Sequence, residues 1–167
     1  KGKTLIVLSS TSLLYFWERD LNRVFKNIKI GRYDGKKKQD GDIILGIINS
    51  LVSDGFQFKK GNLMTNDEFF IQFQTIILDE VHEYCSDVRK EIFFRANAPV
   101  TLAMTATLKR DDKTHVMIEK TYGKPLESST LVKYDSNQFM GVVYVIRYTG
   151  PKEYTKFLVR EDGEFDN

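Results

Sequence analysis

Two adjacent carboxylates, Asp79 and Glu80, close the apolar run Thr75-Ile76-Ile77-Leu78, and the imidazole of His82 follows just beyond Val81. A β-branched run without polar interruption reads as a strand buried on both faces. Its carboxyl end carries the two acids to the sheet edge at which α/β proteins bind ligands. Hydrolysis of a nucleoside triphosphate needs a metal that bridges the phosphates and a positioned water. Asp79 suits magnesium, held through its water shell, and Glu80 suits orienting or deprotonating the attacking water. A second apolar run, Val100-Thr101-Leu102-Ala103-Met104, ends in Thr105-Ala106-Thr107. The hydroxyls of Thr105 and Thr107 suit a hydrogen bond with His82 across neighbouring strand ends. An Asp-Glu pair alone reads equally well as surface acids or helix caps. Its company, His82 and the Thr-Ala-Thr turn, favours chemistry.

The rest of the chain supplies elements to hold these groups. Residues 4–8 are apolar and strand-like, and Ser9-Ser10-Thr11-Ser12 offers a turn and an N-cap. Leu13, Leu14, Trp17, Leu21, Val24 and Phe25 recur at helical spacing. A short strand is expected at Ile28 and Ile30, then a basic, turn-rich loop over residues 34–41. A strand over residues 42–46 leads into a helical turn over residues 47–51. Thr65-Asn66-Asp67-Glu68 reads as an N-cap with first-turn acids, opening an aromatic helix. Helices are expected over residues 83–94 and from about Asp112 to Lys120, followed by a break at Gly123-Lys124-Pro125. A late strand over residues 142–146 and a helix from Pro151 complete the reading. Strands alternating with helices predict an α/β fold, a parallel sheet with crossover helices.

At 167 residues, 41% apolar and 29% charged, the chain has the length and composition of one soluble domain. Its apolar runs are too short to span a bilayer, and no secretory signal is visible. The net charge of +2 declares no partner, although lysines cluster at Lys36-Lys37-Lys38 and Lys59-Lys60, and basic residues at Lys109-Arg110. A single cysteine, Cys85, excludes an internal disulfide. His82-Glu83 begins like a zinc-protease helix, but Ser86 stands where the second ligand would be. His115 is isolated, and Cys85 reads as a core or boundary residue. The chain opens on Lys1 rather than Met and is expected to be a piece of something longer.

Asp-Glu-Val-His followed by Ala-Met-Thr-Ala-Thr resembles motifs II and III of superfamily 2 helicases of the DExH type. The resemblance covers nearly the whole chain. Residues 4–17 are similar to the motif Ia strand and helix, including Trp17. Asn49-Ser50-Leu51 is similar to a motif that usually reads Gln-Ser-Leu, and Thr105-Ala106-Thr107-Leu108-Lys109-Arg110 to Thr-Ala-Thr-Pro-x-Arg. Phage and large-DNA-virus DNA-dependent ATPases look like the nearest relatives, with excision-repair helicases beyond them. There are departures: Leu108 replaces proline, Ile47 stands where many relatives carry Thr, and residues 9–12 lack the usual basic residue. The P-loop signature is also missing. Gly2-Lys3-Thr4 runs straight into the first strand, whereas the family places a helix between them.

The resemblance implies a RecA-like parallel sheet over residues 1–140, the first domain of a motor, with residues 141–167 beginning the connection toward a second. It implies Asp79 and Glu80 as catalytic, with Asp79 serving magnesium. His82, Thr105 and Thr107 would relay nucleotide state, and Ser10, Thr11, Gly46 and Ser50 would meet nucleic-acid phosphates. Implied cofactors are ATP and magnesium. Implied partners are nucleic acid, DNA rather than RNA, together with the missing P-loop segment and a second RecA-like domain. No membrane is involved, and the setting is intracellular. Two other readings remain open. One is a non-catalytic nucleic-acid-binding or docking module that kept the fold. The other is a restriction-type translocase subunit. The fold assignment requires the strands at residues 75–78 and 101–104 to be parallel neighbours, and the fragment reading predicts that the far edge of the second lacks a partner.

Overall fold

The run Thr4-Leu5-Ile6-Val7-Leu8 becomes β1 (Lys3–Leu8), and Leu5 to Leu8 are all buried. A computed structural model describes residues 2–53, 55–58, 62–107 and 113–126. The chain divides into two compact units, Lys1–Pro125 and Leu126–Asn167, and every described element belongs to the first. After β1 come α1 (Thr11–Val24), β2 (Ile30–Tyr33), β3 (Lys38–Gln39), β4 (Ile43–Ile47), α2 (Ile48–Leu51) and α3 (Asn66–Phe70). Then follow β5 (Phe73–Leu78), α4 (Ile92–Arg95), β6 (Val100–Ala103) and α5 (Val116–Tyr122). The expected strand at residues 142–146 and the helix from Pro151 lie outside the described residues.

The six strands form one sheet in the order β3-β2-β4-β1-β5-β6. Every pairing is parallel except β2 with β3. β1 lies between β4 and β5, with Val7 opposite Gly46 on one side and Leu78 on the other. Alternation then sorts its side chains. Leu5 and Val7 join Ile44, Ile76, Leu78 and an aromatic cluster of Tyr33, Phe56, Phe69, Phe70 and Phe73. Ile6 and Leu8 point the other way, to Leu45, Ile47 and Leu14 of α1. The Ser10 hydroxyl caps α1 by accepting from Leu13 N at 3.3 Å. Thr65 and Glu68 form a reciprocal capping box on α3, as their spacing suggests.

β5 and β6 are parallel neighbours, with Ile76 opposite Thr101 and Leu78 opposite Ala103. β6 ends the sheet, and its far edge has no strand partner among the described residues. The expectation that β5 is buried on both faces is met on one face only. Ile76 and Leu78 are fully buried, whereas Ile77 is only half-buried. On that same face the β6 residues Val100 and Leu102 are exposed at 56% and 49%. The reason is coverage: α1 packs on β1 and β4 and leaves this corner open.

Three local expectations change. The basic loop at residues 34–41 is a hairpin, because β3 pairs with β2 through Arg32–Gln39 and Tyr33–Lys38. The Asp34 carboxylate organises its turn, accepting the main-chain N–H groups of Lys36 at 2.7 Å and Lys37 at 2.6 Å and pairing with buried Arg32 at 3.0 Å. Burial opposes its ionisation, but these two N–H groups and Arg32 prevail and hold the Asp34 carboxyl below its ordinary value. At residues 83–94 no single helix forms. Two 3-10 turns (Val81–Tyr84 and Arg89–Glu91) and the four-residue α4 take its place. The chain must first bury Tyr84 and Cys85 and then turn to bury Ile92 and Phe93, which one straight helix does not do here. α5 also starts later than expected, at Val116.

Gly31 closes the base of the hairpin, where a Cβ would sit 2.4 Å from the Gln39 carbonyl oxygen. Gly35, in the turn, has nothing within 4 Å of its would-be Cβ. Gly31→Ala should therefore cost about 1–3 kcal/mol in urea unfolding, and Gly35→Ala should cost much less. Equal midpoints for the two variants would contradict the close approach at Gly31.

Candidate functional site

The ladder between β5 and β6 continues past the strand ends. Met104 N donates to Leu78 O at 2.9 Å, and Val81 N donates to Met104 O at 2.9 Å. These two bonds hold the loop after β5 against the loop after β6. Between them Glu80 adopts φ 51°, ψ 49°, the left-handed region that costs a non-glycine residue roughly 1 kcal/mol or more. That reversal starts the Val81–Tyr84 turn and brings Glu80 beside His82. His82 Nδ1 lies 2.7 Å from Thr105 Oγ1 and 3.2 Å from Glu80 Oε2, and Thr105 Oγ1 lies 3.5 Å from the same carboxylate oxygen. An ionised carboxylate only accepts, so the imidazole N–H or the threonine hydroxyl must serve it. Thr107 joins through its main chain: its N–H donates to Thr105 Oγ1 at 3.2 Å, and its carbonyl accepts from that hydroxyl at 3.0 Å.

Asp79 faces a different partner. The indole Nε1 of Trp17 donates to Asp79 Oδ2 at 2.9 Å. The backbone beneath is fixed too, with Asp79 N donating to Val7 O at 3.1 Å. The Tyr84 hydroxyl reaches the carbonyls of Asp79 at 2.6 Å and Val7 at 3.0 Å. Burial, and then the nearby Asp79 charge, push the Tyr84 phenol far above its ordinary value. It therefore remains a donor throughout the physiological range. Trp17 and Tyr84 were not singled out for these contacts by the sequence. The signal was present for Trp17, which falls on the same helical stripe as Leu14 and Leu21 and so faces the sheet. Nothing in the sequence marks Tyr84 as reaching back to β1.

Among the described residues no group of three or more His, Cys, Asp or Glu side chains is gathered to hold a metal. An all-protein cage is therefore absent from them. A largely hydrated magnesium ion asks for less, one or two carboxylates with phosphate and water completing its octahedron. Asp79, with one oxygen engaged by Trp17, fits that demand, and Glu80 stands next to it.

Of the remaining candidates, Ser10, Thr11 and Ser50 line the same edge. Ser10 and Thr11 follow β1, and Thr11 is exposed. Ser50 lies in α2, directly after β4, and is half-buried. Gly46 is buried inside β4, where a Cβ would sit 2.8 Å from Leu51 Cδ1. Its lack of a side chain makes room for α2. Across the sheet the carboxyl ends of β4, β1, β5 and β6 thus carry, in that spatial order, Ser50, then Ser10 and Thr11, then Asp79, Glu80 and His82, then Thr105 and Thr107.

Residues 1–110 match the ResIII family, described as the res subunit of type III restriction enzymes. The chain belongs to this family. It is a superfamily 2 helicase RecA-like domain. The African swine fever virus protein QP509L, named as an ATP-dependent RNA helicase, is 27% identical over 161 residues, spanning 92% of this chain. The alignment takes in 29% of QP509L, so the chain spans under a third of the length of that relative. The UvsW helicase of bacteriophage T4 superposes with a TM-score of 0.52 at 19% identity, over 74% of this chain and 43% of UvsW. That likeness shows the shared α/β fold. No described helix of this ResIII domain is long and apolar enough to cross a membrane.

Trp17 is the sole tryptophan of the chain, so its emission reports on Asp79. In Asp79→Ala the indole N–H loses its carboxylate, and the emission maximum or the quantum yield should change. An unchanged spectrum would show that the contact does not form.

Proposed function

We propose that this domain is part of an ATP-driven motor that moves along nucleic acid. The observation that carries the reading is the meeting of Glu80, His82 and Thr105 within 3.5 Å at the ends of β5 and β6, with Asp79 beside them. Magnesium, when bound with ATP, neutralises charge on the phosphates and aligns them for in-line attack. Asp79 would hold that ion through its water shell, and the Trp17 bond fixes the Asp79 rotamer. Glu80 orients the attacking water and receives its proton. Because His82 and Thr105 share contact with Glu80, a shift of that carboxylate during hydrolysis is felt at once on the β6 loop. The same β5 and β6 ends connect through β1 to Ser10 and Thr11, where small hydroxyls and helix N–H groups suit phosphate contact without sequence reading. Ser50 extends that line, and Gly46 contributes by letting α2 pack close.

The ATP cradle and the arginine finger would come from the P-loop segment and a second RecA-like domain of the whole protein, which works inside the cell. The expected track is DNA rather than RNA, and the name of QP509L makes RNA the necessary second substrate in any assay.

In the full-length protein, Glu80→Gln preserves shape and should lower kcat by roughly 100-fold or more while ATP binding survives. Near-normal turnover would remove Glu80 from the mechanism. Thr105→Ala should leave appreciable ATPase but reduce unwinding or translocation on DNA and RNA substrates. Thr107→Ala should do less, since Thr107 engages through its main chain. Equal loss of ATPase and movement in Thr105→Ala would argue against a relay.

A further inference from the structure

The β2–β3 hairpin, together with Gln57, Phe58, Asn62 and Met64, lines an open cleft of about 1200 Å³, outside the Asp79 site. One wall is basic, formed by Lys29, Lys36, Lys37 and Lys38. Phe58 and Met64 supply apolar surface, and Gln39, Gln57 and Asn62 supply amides. The single lining carboxylate, Asp40, is already held by Lys3 at 2.7 Å, so it does little to offset the lysines. Lys38 rests its ammonium 5.5 Å from the Tyr33 ring centroid, which fixes its stem along the rim. No carboxylate of the described residues pairs with Lys29, Lys36 or Lys37. The wall is also pre-shaped, because Asp34 grips the main chain of Lys36 and Lys37 and leaves both side chains free to point outward.

Topology says what meets this cleft. The turn carrying Lys36 and Lys37 follows the carboxyl end of β2, and β2 is the parallel neighbour of β4. The lysines therefore stand on the same sheet edge as Ser50, Ser10 and Thr11, one strand further out. Ammonium groups act as point charges toward phosphates, and an aromatic surface stacks on any unpaired base without reading its identity.

We propose that the hairpin cleft is a second nucleic-acid contact, binding the phosphodiester backbone of a single strand as it leaves the top of β4. The proposal rests on the motor reading and names where the strand goes. Lys36 and Lys37 each neutralise a phosphate, and Lys29 extends the positive wall along the cleft. The cleft is indifferent to base identity, because its charges meet only the backbone.

The test uses the full-length protein and fluorescence anisotropy with labelled oligo-dT, oligo-U and polyglutamate over a salt series. Lys36→Glu with Lys37→Glu should weaken single-strand binding about tenfold or more and lower the log–log salt slope by about 1.4, roughly 0.7 for each lost phosphate contact on a single strand. Lys36→Gln with Lys37→Gln should give the same direction at smaller size. Both pairs leave the Asp34 turn in place, since Lys36 and Lys37 take part in it only through their main-chain N–H groups. Lys120→Glu on α5 changes charge elsewhere and should leave binding near wild type. Wild-type binding with unchanged affinity and slope in both lysine pairs would overturn the cleft and leave the motor standing. No wild-type binding to either strand at low salt would overturn both. An equal loss in Lys120→Glu would reduce the effect to net charge, and tighter capture of polyglutamate than of oligo-dT would make the cleft a protein-docking surface. Either result overturns the proposal.

Discussion

A slip of one residue between paired strands turns every side chain to the opposite face, so register is strongly specified wherever one face is buried. The register of β5 on β6 is that constraint here. Leu78 stands opposite Ala103, and the ladder runs on through Met104 to Val81. One step of slip would move Thr105 away from His82 and point Glu80 elsewhere. The apolar residues enforce the register from below, since Ile76 and Leu78 fit the buried face only in this alignment. Packing at the core thus sets distances at the rim, where the carboxylates, the imidazole and the hydroxyl meet.

Much of this is written in local chemistry. Short apolar runs that stop at polar residues give strands with polar groups at their ends, and Asp79, Glu80, His82 and Thr105 were visible as a group on that ground. The Thr65–Glu68 capping box was visible for the same reason, because both partners lie within one turn. Contacts between residues distant in sequence were not. The Trp17–Asp79 bond joins residues 62 positions apart, and the Tyr84–Val7 bond joins residues 77 apart. The hairpin was hidden by its lysines, whose sequence reads as loop. Its strand character comes from glycines that let two backbones approach and from a buried Arg32–Asp34 pair. The broken helix after Glu83 shows helical propensity yielding to burial, as tertiary packing commonly overrides it.

Glu80 carries a tension between backbone and chemistry. Its left-handed conformation suits glycine, yet the position holds a carboxylate. Neighbours hold it there: the Val81 N–H is locked to Met104, and the carboxylate is met by His82 and Thr105. Strain of this kind persists only where surroundings over-determine the geometry. The same contacts that hold Glu80 in place are those through which its movement would be felt.

The two edges of the sheet are finished differently. On one side β3, two residues long, shuts the sheet with a short hairpin. On the other, β6 presents a backbone edge unpaired among the described residues, with Val100 and Leu102 open beside it. A strand laid along β6 would recognise the folded domain alone, because the unfolded chain has no such edge. Binding of that kind raises stability by mass action. Any strand that occupied the β6 edge would therefore raise the melting temperature of this domain above the value its core alone sets.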